Sequence, residues 1–155
     1  RLRDLLPLGS KEQSIYFKEG GLYAKARPDF IYNRSGTRFL LDLKTTSSSI
    51  LEFKNRAFQF GYHRQAAWYL SAVNSLEKGG FDEFYFLVVE TKAPYEVALF
   101  KASNDFIFQG SAQNARILLS LEGALSSDLW PGYPEIMSLD LPRWASASLE
   151  VDDGV

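Results

Sequence analysis

Cysteine is absent from this chain of 155 residues, and histidine occurs only once, at His63. The absence of cysteine excludes disulfides, thiol catalysis and cysteine-ligated metal centres within the chain, and it fits a cytoplasmic location. A histidine-rich zinc site and the glycine-rich phosphate loops of the Walker and G-x-G-x-x-G types are excluded as well. No apolar run approaches the ~20 residues that cross a bilayer, so we expect no membrane partner. The chemistry that remains open uses carboxylates, lysines and hard cations.

Charge is small in total and uneven along the chain. The formal net charge is −2, but residues 1–64 hold 12 lysines and arginines against 6 acids, and residues 65–155 hold 5 against 13. A basic first half can attract a polyanion such as a nucleic acid. The alternative is that these charges are scattered over a solvated surface.

The length fits one domain with a sizeable core rather than two domains. We predict a single domain over residues 1–155, in which residues 128–155 form a proline-punctuated C-terminal arm. Trp130 and Trp144 are expected to anchor this arm, on the domain itself or on a neighbouring subunit. The chain starts at Arg1 without a methionine, so we also expect that helices upstream belong to the complete protein.

Three strands are predicted in the first third of the chain, over residues 13–18, 22–32 and 37–44. These stretches are rich in strand-forming residues and are separated by turn residues. Pro28 cannot donate to a β-ladder and marks a bulge, an edge or a strand end. A hairpin turn is predicted at Asn33-Arg34-Ser35-Gly36, so the three strands form an antiparallel meander.

Helices and strands alternate in the remainder of the chain. The patterns predict a weak helix over 51–60, a stronger helix over 62–76, strands over 81–90 and 95–101, and a long helix over 103–125. The strand over 81–90 is apolar enough to be buried on both faces. The order β-β-β-α-β-β-α predicts an α/β protein with a central mixed sheet flanked by helices.

Helical spacing also predicts which side chains face the core. On the helix over 62–76 the apolar stripe consists of Ala66, Tyr69, Leu70, Val73 and Leu76. On the long helix the corresponding positions are Phe108, Ala112, Ala115 and Leu119. Five aromatic side chains are expected in the core: Phe81, Phe84, Phe86, Phe106 and Phe108.

Asp42 and Lys44 stand two positions apart at the end of an apolar strand, so their side chains project from the same face. Burial of two charges there is unfavourable unless they have partners such as a metal or a substrate anion. The predicted hairpin places Asp29 beside them, and the Leu43 carbonyl offers a further oxygen ligand. Such a set suits Mg²⁺ and phosphodiester hydrolysis, in which a lysine positions water or stabilises negative charge. A structural ion pair is the alternative.

The residues at these positions resemble a known signature. Asp29 followed by Asp42-Leu43-Lys44 is similar to the PD-(D/E)XK nuclease motif. Gln65 and Tyr69 are similar to the Gln-x-x-x-Tyr motif of the exonuclease branch that includes RecB-type nucleases. The similarity to the RecE-like exonuclease group runs in order from about Ser14 to Ala145, and it is carried by four blocks, namely residues 25–29, 42–46, 62–69 and 141–145.

This resemblance implies a restriction-endonuclease-like core and a role for each matching residue. Asp29 and Asp42 would hold Mg²⁺ or Mn²⁺ with the Leu43 carbonyl, and Lys44 would act on the attacking water. Gln65 would steady the site or touch DNA, and Tyr69 would pack beneath it. The family implies digestion of double-stranded DNA from 5′ ends during recombination, a ring-shaped homo-oligomer and a single-strand annealing protein as partner. Contacts to DNA are expected from several further residues, namely Arg27, Thr45, Lys54, Arg56, His63 and Arg64, although His63 could instead be structural.

One element of the RecE-like pattern has no counterpart in the chain. These exonucleases use a further histidine or acid on an upstream helix, and the nearest acids here are Glu12 and Glu19. Either the missing ligand lies upstream of Arg1 or the site is incomplete. Two alternatives to an exonuclease therefore stay open. The first is a nuclease-fold domain that binds DNA or protein without cleaving, and the second is an endonuclease of the same superfamily.

Overall fold

Seven strands and three helices make up the part of the chain that the structure describes. The structure is a computed structural model that describes residues 6–76 and 80–141. The strands are β1 (Ser10–Lys11), β2 (Ile15–Glu19), β3 (Leu22–Ala26), β4 (Phe30–Arg34), β5 (Thr37–Thr46), β6 (Glu83–Glu90) and β7 (Val97–Lys101). The helices are α1 (Phe53–Gln59), α2 (Tyr62–Leu76) and α3 (Asn104–Ser127), and single 3-10 turns occupy Leu6–Leu8 and Ile50–Glu52.

The central sheet has five strands in the order β1-β4-β5-β6-β7, and β2 pairs with β3 in a separate two-stranded sheet. All neighbouring pairs are antiparallel except β5 and β6, which run parallel. Helices α1 and α2 make the crossover between these two parallel strands. The predicted mixed sheet with flanking helices is therefore confirmed. The structure has two more strands than the sequence pattern indicates, because β1 was not predicted and the predicted strand over 22–32 forms both β3 and β4.

The β4–β5 hairpin confirms the predicted turn. Arg34 pairs with Thr37, so Ser35 and Gly36 form a two-residue loop. Their φ angles are 52° and 80°. Positive φ at both positions is the type I′ conformation, whose twist matches that of the flanking strands. This tight turn holds the two strands in one register along their whole length.

The prediction of one continuous strand over residues 22–32 is wrong. Strand β3 ends at Ala26 in the small sheet, and β4 begins at Phe30 in the central sheet. Pro28 lies between them and is fully buried. Because proline has no N–H group, the ladder cannot continue through it, and the chain changes sheets there.

The core lies between the central sheet and helix α2. Leu40, Phe84 and Val88 are completely buried on the face of the sheet that α2 covers. The bounds of α2 agree with the predicted helix, and its predicted stripe at Ala66, Leu70 and Val73 is buried. At the last position of the helix, Leu76 is 61% exposed instead. Strand β6 alternates between buried and half-buried positions, so it is less enclosed than expected.

Helix α3 packs on α2 through a different face from the one predicted. Gly110 is its buried position, and a Cβ atom there would lie 2.0 Å from the His63 carbonyl oxygen. The predicted core residues Phe108 and Leu119 are instead 69% and 68% exposed. Helix α3 is thus oriented so that Gly110, rather than a large apolar residue such as Phe108, contacts α2. Close backbone approach at a glycine determines this contact.

The C-terminal arm has no regular secondary structure from Leu129 to Leu141. Trp130 is 60% exposed, and its Nε1 lies 3.4 Å from Asp128 Oδ1. The hydrogen bond of Trp130 is thus to its own segment, and the expected anchoring of the arm on the domain or on a neighbouring subunit stays a prediction. Trp144 and the block 142–145 lie outside the described residues. None of the helices in the described ranges has the length and apolar character that a membrane span requires.

Candidate active site

Asp29 and Asp42 are brought together by the register of the β4–β5 hairpin. Phe30 pairs with Leu41 as the last pair of the ladder, and continuing this register by one residue sets Asp29 opposite Asp42. Directly opposed residues of an antiparallel pair project from the same face. The Leu43 N–H group donates a hydrogen bond of 2.8 Å to Asp29 Oδ2. This bond orients the Asp29 carboxylate toward the end of β5, where Asp42 and Lys44 lie.

The Asp42 carboxylate is almost completely removed from solvent. Only 2% of the residue is exposed, and it is among the largest fully buried side chains. Burial raises the pKa of Asp42 above its ordinary value; the Lys44 ammonium opposes this shift, and the negative charge of Asp29 adds to it. Two neighbouring carboxylates, one of them buried, form a place where a positive ion would be strongly favoured.

Lys44 neutralises part of this charge. Its Nζ lies 2.5 Å from Asp42 Oδ2, and its side chain is 15% exposed. The same Nζ lies 4.5 Å from the centre of the Tyr62 ring, close enough for a cation–π interaction. Lys44 is therefore held between a carboxylate and an aromatic face. The sequence pattern did not predict the role of Tyr62, although the i, i+3, i+7 spacing of Tyr62, Gln65 and Tyr69 indicates one shared helix face.

Gln65 lies above the part of the sheet that carries Asp42. Tyr62 packs on Phe86, the β6 neighbour of Asp42, and Tyr69 packs on Phe84, so the face of α2 between them covers this region. Gln65 Nε2 donates to the Tyr69 hydroxyl at 3.2 Å. Within the described residues, Gln65 Oε1 is buried and accepts no hydrogen bond. The amide thus retains an unused acceptor over the candidate site.

Of the two upstream acids, Glu12 is the nearer to the site. Its N–H group donates to the Asp29 carbonyl oxygen at 3.1 Å. Its carboxylate, however, forms an ion pair with the exposed guanidinium of Arg27. Glu19 accepts a hydrogen bond of 2.6 Å from Ser71 Oγ on helix α2. Both acids therefore have other partners.

The residues expected to contact DNA separate into two groups. Arg27, Thr45, Lys54 and Arg64 are exposed, as such a contact requires. His63 is only 2% exposed, which favours the structural role that the sequence also left open over a contact with a DNA phosphate. Its ring stacks on Phe58, and its Nε2 lies 2.8 Å from Gln113 Oε1 on α3. His63 is a packing residue between helices. Arg56, a further residue expected to contact DNA, is only half-exposed and forms an ion pair with Glu52.

The oxygen donors of the site fit a hard divalent cation. Asp29 and Asp42 supply carboxylates, and burial raises the pKa of Asp42 although Lys44 acts in the opposite direction. Mg²⁺ retains several waters and is often held by one or two carboxylates together with substrate phosphate. Among the described residues, no three His, Cys, Asp or Glu side chains are grouped so that they could hold a metal. Two carboxylates would therefore leave most of the coordination shell of such an ion to water and substrate oxygens.

Comparison with known proteins gives a family and solved structures of similar fold. The family model for a PDDEXK-like domain of unknown function (DUF3799) matches residues 2–139. A crystal structure from Eubacterium rectale, provisionally described as an exonuclease, superposes with a TM-score of 0.62 at 13% identity, over 96% of this chain and 59% of that one. The chain thus spans about three-fifths of that protein, and the likeness shows a shared fold.

Two further results complete the comparison. The structure of SSO0001 superposes with a TM-score of 0.49 at 17% identity, over 84% of this chain and 57% of that one. No curated protein matches the sequence. The mixed five-stranded sheet with its helices is consistent with the restriction-endonuclease-like fold that the sequence motifs imply.

Proposed function

Because the chain belongs to the family of PDDEXK-like domains named DUF3799, we propose that it is a metal-dependent deoxyribonuclease that hydrolyses phosphodiester bonds. The observation that carries this proposal is the opposition of Asp29 and Asp42 across the β4–β5 hairpin, with Lys44 paired to Asp42. This set places two carboxylates and one ammonium at a strand end, which is the combination that metal-assisted hydrolysis needs.

Asp29, Asp42 and the Leu43 carbonyl would hold Mg²⁺ or Mn²⁺. A bound divalent ion would make a coordinated water more acidic and offset the charge of the scissile phosphate. Asp29 is already oriented by the Leu43 N–H group, so its second carboxylate oxygen is the one left for binding. The buried position of Asp42 excludes bulk water, and electrostatic interactions at this carboxylate are correspondingly stronger.

Lys44 would stabilise the negative charge that develops on the phosphate or orient the attacking water. Its ammonium is confined by the Asp42 carboxylate and the Tyr62 ring, so it stays in place before substrate arrives. Preorganised charges of this kind contribute on the order of a hundredfold to a thousandfold in rate. Gln65, with its free acceptor, would steady the water or contact DNA, and Tyr69 fixes the Gln65 amide.

At a finer level, we infer a 5′-to-3′ double-strand exonuclease that works in recombination, as the RecE-like motifs imply. The same resemblance suggests a homo-oligomeric ring and a single-strand annealing protein as partner. Exposed apolar side chains in the second half of α3 and in the arm, such as Leu119, Leu125 and Trp130, support self-association. Light scattering of the purified protein would measure the oligomer number directly.

Digestion of DNA tests the proposal. We expect end-labelled linear duplex to be degraded in Mg²⁺ or Mn²⁺ and to survive in a chelator. Asp42→Ala should lower the rate by roughly a hundredfold to a thousandfold, as loss of a preorganised stabilising group does. Asp140→Ala, which removes an exposed acid from the arm, is the matched control and should behave as wild type. Equal cleavage by both variants would contradict the proposal, and nicking of closed circular DNA would favour an endonuclease.

A second candidate function is a nuclease-fold domain that binds DNA without cleaving it. The observation that favours it is the presence of only two carboxylates at the site within the described residues. Calorimetric titration with Mn²⁺ separates the two functions. Heat of binding that disappears in Asp42→Ala supports the nuclease, whereas DNA binding without any uptake of Mn²⁺ supports the second candidate.

A further inference from the structure

The outer face of the β2–β3 hairpin consists of two tyrosines and two lysines. Tyr16 pairs with Lys25, and Lys18 pairs with Tyr23. Because side chains alternate along a strand, these four residues share one face, and the residues between them point the other way. No carboxylate lies on this face of the ladder. Aromatic rings and ammonium groups therefore alternate on both strands, each ring opposite a cation.

All four side chains are open to solvent. Tyr16 is 71% exposed and Tyr23 is 88% exposed, which is unusual for rings of this size. Lys18 Nζ lies 4.8 Å from the Tyr23 ring centre, and Lys25 Nζ lies 5.5 Å from that of Tyr16. These contacts occupy part of each ring and leave the rest accessible. The two cation–π pairs thus fix the positions of these side chains and leave the rings accessible.

The inner face of the same hairpin fixes it on helix α2. Phe17 packs edge-on against Trp68 with ring centres 5.2 Å apart. Trp68 Nε1 donates to the Lys25 carbonyl oxygen at 3.2 Å, and Glu19 accepts from Ser71. Two-stranded hairpins are marginal by themselves, and this packing supplies the stability that the pair lacks. The Tyr/Lys face is consequently held on the domain as a rigid surface.

We propose that this outer face, Tyr16-Lys18-Tyr23-Lys25, binds single-stranded DNA. Surfaces for single strands combine aromatic rings, on which bases stack, with cations that contact the phosphates. A base in a duplex is already stacked on its neighbours, so exposed tyrosine rings favour an unpaired strand over a double helix. Two lysines and no acid give the face the charge that a polyanion requires. An apolar protein partner would instead match aliphatic side chains, and none lies on this face of the ladder.

The position of the hairpin connects this face to the candidate active site. Lys25 is four residues before Asp29, so their Cα atoms are at most about 14 Å apart. Strand β3 leads directly through Pro28 into the site. A strand that lies on the hairpin is therefore within a few nucleotides of the carboxylates. The inference deepens the proposed function, because it assigns the unpaired strand at a DNA end to a defined surface.

Binding of labelled oligothymidylate to the whole chain tests this assignment. Fluorescence anisotropy in a chelator measures affinity without cleavage. Tyr16→Ile with Tyr23→Ile keeps strand propensity and removes the stacking rings, and we expect at least a roughly fivefold loss of affinity for each ring that stacks. Lys18→Gln with Lys25→Gln should instead lower the salt dependence of log Kd by about 0.7 for each phosphate that the variant no longer neutralises. Tyr133→Ile, at a 92% exposed tyrosine on the arm, is the matched control and should bind as wild type.

The outcomes distinguish this inference from the proposed function. Circular dichroism and thermal unfolding establish that each double variant is folded, and near-ultraviolet signals report the packing of Trp68. Unchanged affinity and salt slope in both folded double variants would overturn the single-strand surface, even if Asp42→Ala still abolishes cleavage. Conversely, wild-type cleavage by Asp42→Ala would reject the proposed active site and leave the binding result intact. Equal losses of affinity for duplex and single-stranded DNA would also contradict the single-strand surface, because stacking requires unpaired bases.

Discussion

The charged form of Asp42 is poorly stabilised by the protein alone, because the carboxyl is buried. The residue is buried, and one lysine and a neighbouring acid are its nearest charges. Residues that raise the free energy of the folded state are usually retained because they perform a function. At Asp42 the function would be metal binding, since a cation supplies the charge that Lys44 does not fully provide.

The raised pKa of Asp42 predicts a measurable effect on stability. A carboxyl with a higher pKa when folded stabilises the protein most below its unfolded pKa of 3.8, and this contribution is lost as the pH rises through the folded pKa. At neutral pH in a chelator, Asp42→Asn should therefore raise the midpoint of thermal unfolding, by about 2–4 °C for each kcal/mol relieved. At pH values below 4 the two proteins should unfold at similar temperatures, as protonated Asp42 resembles asparagine. If Asp42→Asn is less stable than wild type at pH 7, the attraction between Lys44 and Asp42 outweighs the cost of burying the carboxylate.

The arrangement of Asp29, Asp42 and Lys44 follows from local rules that a sequence displays. A two-residue turn and the period of two in a strand are enough to place the three side chains on one face. The burial of Asp42 and the contact of Lys44 with Tyr62 are different, since they depend on how helix α2 lies over the sheet. The burial of His63, which the sequence left open as an alternative, likewise depends on neighbouring elements, because helices α1 and α3 contact it.

At the scale of elements, the crossing of α2 and α3 depends on Gly110, which has no side chain. Gly110→Ala would place a Cβ atom 2.0 Å from a backbone oxygen of α2, a contact that requires the helices to move apart. We expect a loss of about 1–3 kcal/mol in the free energy of unfolding, the usual range for overpacking. Denaturation by urea, followed by circular dichroism, measures this change.

Gly123→Ala is the control on the same helix. A Cβ atom at this position meets nothing within 4 Å. The higher helix propensity of alanine should then stabilise the protein by up to about 1 kcal/mol. Opposite signs for the two glycines support the described crossing. Stabilisation by both substitutions would mean that α3 does not pack on α2 at Gly110.

The bounds of elements that depend on local sequence signals were predictable. Features that depend on which other element packs against them were not. Helix α2 has its predicted bounds because apolar periodicity marks them. The break at Pro28 was visible only as an interruption, since a proline does not reveal which sheet the next residue joins. The face of α3 was predicted wrongly because apolar spacing at Phe108 and Leu119 suggests burial whether or not a partner is present.

At the scale of the whole molecule, metal binding and folding should be coupled. A ligand that binds only the folded state stabilises it by about 2.7 kcal/mol at a concentration of one hundred times Kd. For a chain of this size that amounts to several degrees in the unfolding midpoint. We therefore expect Mn²⁺ to raise the midpoint of wild type relative to a chelator. Differential scanning fluorimetry provides the measurement.

Asp42→Asn supplies the control for that experiment. Without the buried carboxylate, the shift with Mn²⁺ should vanish, even though the variant starts from a higher midpoint in the chelator. A shift of equal size in both proteins would locate the ion elsewhere on the molecule. Calcium is a useful comparison, because its larger coordination shell suits a site with only two carboxylates less well.

The parallel pairing of β5 with β6 has a consequence for how the protein is made. Phe39 pairs with Glu83, 44 positions further along the chain, and the same separation holds along the whole ladder to Thr46 and Glu90. Contacts of such long range form late, because a large loop must close first. The strand that carries Asp42 and Lys44 therefore acquires its second neighbour only after residue 90 has left the ribosome. The candidate site would therefore be assembled only after the second neighbour of this strand has been synthesised.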